Sequence, residues 1–178
     1  MNLANRITLI RILFIPVFIL AMYWDVPYAP FVAAGLFTLL ASTDKIDGHI
    51  ARKRNEVTDL GKLLDPLADK LLVCAALLIL LEQGRIEAVS TFLIIAREFM
   101  VTGLRQIAAA RGLVIAAGQW GKWKTVSQIV AVIALILENA IHLPIPFGLI
   151  LYYIAVALTI LSGIQYLYGH RQILKENT

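Results

Sequence analysis

From Ile7 to Trp24 the chain reads ITLIRILFIPVFILAMYW, an apolar run broken only by Arg11 and ended by the polar and proline-bearing stretch Asp25 to Pro30. Five more runs of the same kind follow. Together the six cover residues 7–24, 30–53, 62–82, 86–111, 120–141 and 146–170, separated by Gln83-Gly84, by Arg111-Gly112 to Gly118 and by Pro144 to Pro146. Each has roughly the 20 residues that a helix needs to cross a bilayer, and each break carries turn residues. The pattern predicts an all-α integral membrane protein of six transmembrane helices. No linker, low-complexity stretch or repeat interrupts it, so residues 1–178 are expected to form a single domain.

The first ten residues add one element. Asn2 to Arg11 mixes Asn5, Arg6, Thr8 and Arg11 with Leu3, Ile7, Leu9 and Ile10, a composition suited to an N-terminal interfacial helix lying at the headgroup level before the chain turns inward. The apolar run after it resembles a secretory leader, but it has spanning length and no small-x-small cleavage site follows, so it is expected to be retained.

Composition agrees with the hydropathy pattern. Hydrophobic residues make up 60% of the 178 and charged residues 16%, against about 45–50% and about 25% in soluble domains, and the mean hydropathy is +0.78. The cations decide the orientation. With the N-terminus in the cytoplasm, 15 of the 16 Lys and Arg residues fall on that side and only Arg85 falls outside, so the positive-inside rule places both termini in the cytoplasm. The net charge of +4 implies attraction to anionic membrane lipid and not to nucleic acid, since no soluble basic domain carries it. The lone cysteine, Cys74, sits in an apolar run and cannot form an internal disulfide.

Against this background the stretch DKIDGHIARKRNEVTDLGKLLDPLAD, residues 44–69, stands out. Asp44 and Asp47 are three residues apart and Asp65 and Asp69 four, so each pair shares a helix face, at the cytoplasmic ends of the second and third helices. Four carboxylates that converge repel one another unless a cation lies among them. With oxygen donors only, the cation is a hard divalent ion, Mg²⁺ or Mn²⁺. Gly48 and Gly61 would let a ligand or a neighbouring backbone approach closely. A metal-carboxylate cluster beside Arg52, Lys53 and Arg54 suits phosphoryl chemistry. Arg97 and Arg105, two turns apart in a spanning segment, are expected to face inward. Arg111, Lys122 and Lys124 flank the next cytoplasmic loop, as phosphate ligands or as headgroup anchors.

The spacing Asp44-x-x-Asp47-Gly48-x-x-Ala51-Arg52, eight residues, then Gly61-x-x-x-Asp65-x-x-x-Asp69 resembles the signature of the CDP-alcohol phosphatidyltransferases without departure. Eight fixed residues at fixed spacing arise by chance with a probability on the order of 10⁻¹⁰ per starting point. The six spans match that family's architecture. The stretches Asn5-x-Ile7-Thr8-x-x-Arg11, Asp65-Pro66-Leu67-Ala68-Asp69-Lys70, Arg97-Glu98-Phe99-x-Val101-Thr102-Gly103-Leu104-Arg105 and Gly121-Lys122-x-Lys124-Thr125 are similar to the bacterial members that use a glycerol phosphate acceptor. The resemblance implies that CDP-diacylglycerol and sn-glycerol 3-phosphate give phosphatidylglycerophosphate and CMP, in the cytoplasmic membrane of a bacterium. It implies a metal site of Asp44, Asp47, Asp65 and Asp69, with Asp69 as the base on the attacking hydroxyl. It places Gly48, Arg52 and Gly61 near the CDP pyrophosphate, and Asn5, Thr8 and Arg11 along the approach to the nucleotide or headgroup. It also implies a homodimer.

An anionic acceptor needs cations, and Arg105, Arg111, Lys122 and Lys124 supply them, which favours a phosphorylated alcohol over serine. Sister enzymes that take inositol phosphate or phosphatidylglycerol remain the alternative. An ion-coupled transporter would need ionisable residues down to the far side of several helices, and the middles of helices 1, 3, 5 and 6 carry almost none.

Overall fold

The structure is a computed structural model that describes residues 3–54, 59–110, 112, 118–141 and 145–169, with side chains described for 8–43, 67–109, 112, 118–138, 140–141 and 145–169. Six helices account for nearly all of it: α1 Leu3–Met22, α2 Ala29–Arg54, α3 Asp59–Glu82, α4 Ala88–Ala110, α5 Gln119–Ile141 and α6 Phe147–Gly169. The described residues contain no strand, so the chain is all-α as its hydropathy pattern predicts. The helix ends fall within a few residues of the six apolar runs. The α3–α4 turn illustrates why it ends there: Gly84 takes a φ of 68°, a left-handed value open to glycine, and the Arg85 N–H closes the helix on the Leu80 carbonyl at 3.0 Å.

The expected interfacial helix is not a separate element. Leu3 to Met22 form one helix, and Thr8 and Arg11 are buried, 0% and 2% exposed. The spacing explains the difference. Thr8, Arg11, Ile15 and Phe18 repeat at three, four and three residues and form one buried seam, so the polar positions continue the core-facing stripe instead of facing headgroups.

α1 packs on α2 and α3, α5 lies along α6, α2 meets α5, and α4 meets α6. One core draws on all six helices through Phe18, Phe37, Leu80, Ile94, Leu135 and Tyr152, with the Phe18 and Phe37 rings 5.7 Å apart. Inside α4–α6 several polar side chains are paired across helices. The Tyr152 hydroxyl donates to Ser90 Oγ at 3.0 Å, and Gln128 Nε2 donates to Thr159 Oγ1 at 3.0 Å, bonds that tie α6 to α4 and to α5.

The outside of the bundle is apolar. Every helix exposes large hydrophobic side chains, among them Leu20, Leu39, Leu78, Phe92, Val130 and Leu161, far beyond the scattered apolar residues of a soluble surface. Among the described residues, Gln119–Glu138 and Phe147–Gly169 are long and apolar enough to cross a membrane.

At the end of the bundle away from the aspartates, Arg85 Nη2 lies 3.8 Å from Glu138 Oε2, and Glu138 Oε1 accepts the Gly148 N–H at 3.3 Å. Burial pushes the Arg85 guanidinium below its ordinary pKa, and the neighbouring Glu138 opposes that shift.

Candidate active site

The aspartate pairs lie on adjoining helices. Asp44 and Asp47 are on α2, and Asp65 and Asp69 on α3. Asp44 lies eleven residues before the connection 55–58 and Asp69 eleven residues after it, so at an equal rise per residue the two stand at matching heights on an antiparallel pair. The side chains of Asn5, Asp44, Asp47, Gly48, Arg52, Gly61 and Asp65 lie outside the described residues, as does the whole of Arg111.

Asp69 is described. It borders a cavity of about 20 Å³, room for one water, together with Ala41, Lys70, Cys74, Glu98 and Lys124. Ala41 precedes Asp44 by three residues and so lies on the same face of α2. Ala41 of α2 and Asp69 of α3 thus line one cavity. Ala68, next to Asp69 in the chain, is fully buried. Asp69 is the member of the aspartate set whose side chain is described, and the described residues hold no group of three or more acidic, histidine or cysteine side chains placed to bind a metal ion.

A cluster of cations surrounds the cavity. Glu98 of α4, 8% exposed, accepts a hydrogen bond from Lys124 Nζ of α5 on Oε1. Its Oε2 lies 3.3 Å from Lys70 Nζ of α3, and Arg97 Nη1 lies 3.3 Å from Oε1. Lys70 Nζ also reaches Asp69 Oδ2 at 3.3 Å. One carboxylate thus gathers three cations from three helices and connects them to Asp69.

The remaining predicted residues are distributed as follows. Arg97 faces inward and donates from Nη2 to Ser162 Oγ at 3.0 Å. Arg105 stacks over the Tyr166 ring at 5.4 Å, and the Nε atoms of both arginines are buried without a hydrogen-bond partner among the described residues. Arg11 donates from Nε to Thr43 Oγ1 at 3.1 Å, one residue before Asp44, which brings the buried α1 seam to the aspartate level. Lys122 and Lys124 diverge: two residues on a helix are about 200° apart, so Lys122 is exposed while Lys124 is 2% exposed.

Glu98 carries no role in the sequence reading. Its signal was present, a single acid within the apolar run Ile94 to Val101 beside Arg97, but only the packing of α3 and α5 against α4 supplies its partners.

The sequence profile of the CDP-alcohol phosphatidyltransferases matches residues 1–161. The chain belongs to the CDP-alcohol phosphatidyltransferase family. Within it, the chain is 44% identical to the CDP-diacylglycerol--glycerol-3-phosphate 3-phosphatidyltransferase of Bacillus subtilis, over 98% of this chain and 97% of that protein. It is 43% identical to the protein of the same name from Rickettsia bellii, over 93% of each chain, and 37% identical to that of Escherichia coli K12, over 96% of this chain and 95% of the other. The CDP-alcohol phosphatidyltransferase signature, Asp44 to Asp69, runs from the second half of α2 into the first half of α3.

Proposed function

We propose that this chain is a bacterial membrane enzyme that transfers the phosphatidyl group of CDP-diacylglycerol to sn-glycerol 3-phosphate, giving phosphatidylglycerophosphate and CMP. The observation that carries this reading is the nearly end-to-end similarity to relatives that share one name for that reaction.

In this reading Asp44, Asp47, Asp65 and Asp69 hold Mg²⁺ or Mn²⁺, which when bound neutralises charge on the pyrophosphate. Asp69 takes the proton of the acceptor hydroxyl. The freed oxygen attacks the phosphorus that bears the diacylglycerol, the bond from that phosphorus to the bridging oxygen breaks, and CMP leaves with the electron pair. Gly48 and Gly61 let the pyrophosphate come close to the backbone, Arg52 neutralises part of its charge, and Asn5, Thr8 and Arg11 line the nucleotide side. Arg105, Arg111, Lys122 and Lys124 bind the phosphate of the acceptor.

The same reading makes the chain a single domain of six transmembrane helices in the cytoplasmic membrane, a homodimer with both termini and the site on the cytoplasmic side. A site at that rim serves one substrate dissolved in water and another whose tails lie in lipid. The one-sided count of Lys and Arg and the apolar exterior of every helix support it.

The test offers purified protein labelled CDP-diacylglycerol with glycerol 3-phosphate, inositol phosphate or serine, and identifies the lipid product. Phosphatidylglycerophosphate is expected from the first alone. A product from inositol phosphate instead would make the chain a sister enzyme, and no CMP from any acceptor would overturn the enzyme reading.

A further inference from the structure

Glu98 poses a problem that the proposed reaction does not solve. It is one buried carboxylate with Lys70, Arg97 and Lys124 around it. Replacing such a cluster by hydrophobic residues of equal volume is commonly neutral or stabilising, so a buried ion network is weak evidence for a role in stability. Lys70 has Asp69 as a second partner at 3.3 Å and Arg97 has Ser162 at 3.0 Å. Lys124, by contrast, has the Glu98 carboxylate as its ion-pair partner among the described residues. It borders the Asp69 cavity with an ammonium group that is almost completely shielded from the surroundings. The ammonium ends a flexible four-carbon stem, so its position at the cavity wall depends on what it is tied to.

The charge balance points the same way. Lys70, Arg97 and Lys124 carry three positive charges, Glu98 and Asp69 two negative ones, and Arg105 adds another positive charge on the same helix as Arg97. The α4–α5 side of the cavity is left electropositive, as a phosphate dianion requires.

We propose that Glu98 is a positioning residue for the acceptor: it fixes the Lys124 ammonium beside the Asp69 cavity, oriented toward the phosphate of the incoming alcohol. Lys70 and Arg97 hold Glu98 itself, so that three helices set the location of one cation. The inference rests on the proposed function for the identity of the acceptor, and goes beyond it in assigning a residue outside the aspartate signature.

A double-mutant cycle tests it, with E98Q, K124M and the pair E98Q/K124M assayed for CMP release at varied glycerol 3-phosphate and at varied CDP-diacylglycerol. E98Q is expected to raise KM for glycerol 3-phosphate at least tenfold, with kcat and KM for CDP-diacylglycerol within about threefold of wild type. The double variant is expected to match K124M alone, because Glu98 acts through Lys124. Thermal unfolding in detergent gives the second readout: E98Q lowers Tm by stranding buried cations, and E98Q/K124M recovers part of that loss. Should E98Q not fold, the comparison of K124M with the double variant decides the matter by itself. A further tenfold rise in KM in the double variant, or an E98Q enzyme whose KM for glycerol 3-phosphate is unchanged, overturns the proposal. A wild type that releases no CMP with glycerol 3-phosphate overturns the acceptor assignment and this inference together, whereas an active wild type with additive effects overturns this inference alone.

Discussion

Asp69 is where the electrostatics of the site can be read atom by atom. Its carboxylate is about one-third exposed, with Lys70 at 3.3 Å and Glu98 beyond that lysine, so its negative charge is balanced on the protein side while one face stays open to the cavity. A base at this position must keep its charge and its access, and Asp69→Asn removes the first without changing the shape. The variant is expected to keep its Tm within a few degrees and to lose about 10²–10⁴-fold in kcat, the usual contribution of a general base. CMP release from folded protein checks it, and turnover within tenfold of wild type would take Asp69 out of that role.

Between elements, the tightest requirement lies where α5 meets α6. A Cβ on Gly148 would stand 2.8 Å from Glu138 Oε2 and 2.9 Å from backbone atoms of Leu135. The carboxylate could swing away, but the α5 backbone cannot, so Gly148→Ala must separate two helices whose contact is the most extensive in the bundle. The expected cost is about 1–3 kcal/mol, read as a lower Tm in detergent; an unchanged Tm would show that the two helices part freely. The site end of α5 behaves differently. Lys122 is exposed, so Lys122→Gln is expected to leave Tm unchanged and to alter KM for glycerol 3-phosphate less than K124M does.

Across the whole molecule, charge separates the two ends of the bundle. Among the described residues Asp69, Lys70, Arg97, Glu98 and Lys124 gather at one end, while Arg85 and Glu138 face each other at the other. If the first end is cytoplasmic, Gln83→Cys in a Cys74→Ala background should react with a membrane-impermeant thiol reagent applied to intact cells, and Lys122→Cys should react only after the cells are opened. Labelling in the reverse order would invert the topology. In the proposed reading metal dependence would be a property of the whole assembly, because the four aspartates come from two helices, α2 and α3. EDTA is expected to abolish activity, and Mg²⁺ or Mn²⁺ to restore it, in the CMP-release assay; full activity in excess chelator would exclude the metal site.

The sequence by itself determined the six helices, because apolar runs of spanning length separated by glycine and proline allow little else, and it put each aspartate pair on one helix face, because spacing on a helix fixes which residues share a face. It misplaced the start of the chain: Thr8 and Arg11 look interfacial by composition, yet their spacing from Ile15 and Phe18 puts them in the core seam of α1. It also treated Lys122 and Lys124 as equivalent, although only one of them faces the bundle. What the tertiary structure alone decided is which helices meet at the site. Glu98, Lys70 and Lys124 are far apart along the chain, and no local pattern announces that one carboxylate will receive both lysines, since that contact depends on how α3, α4 and α5 pack. Hydropathy and spacing act within an element and can be read from it, whereas the partners of a buried charge are supplied by its neighbours.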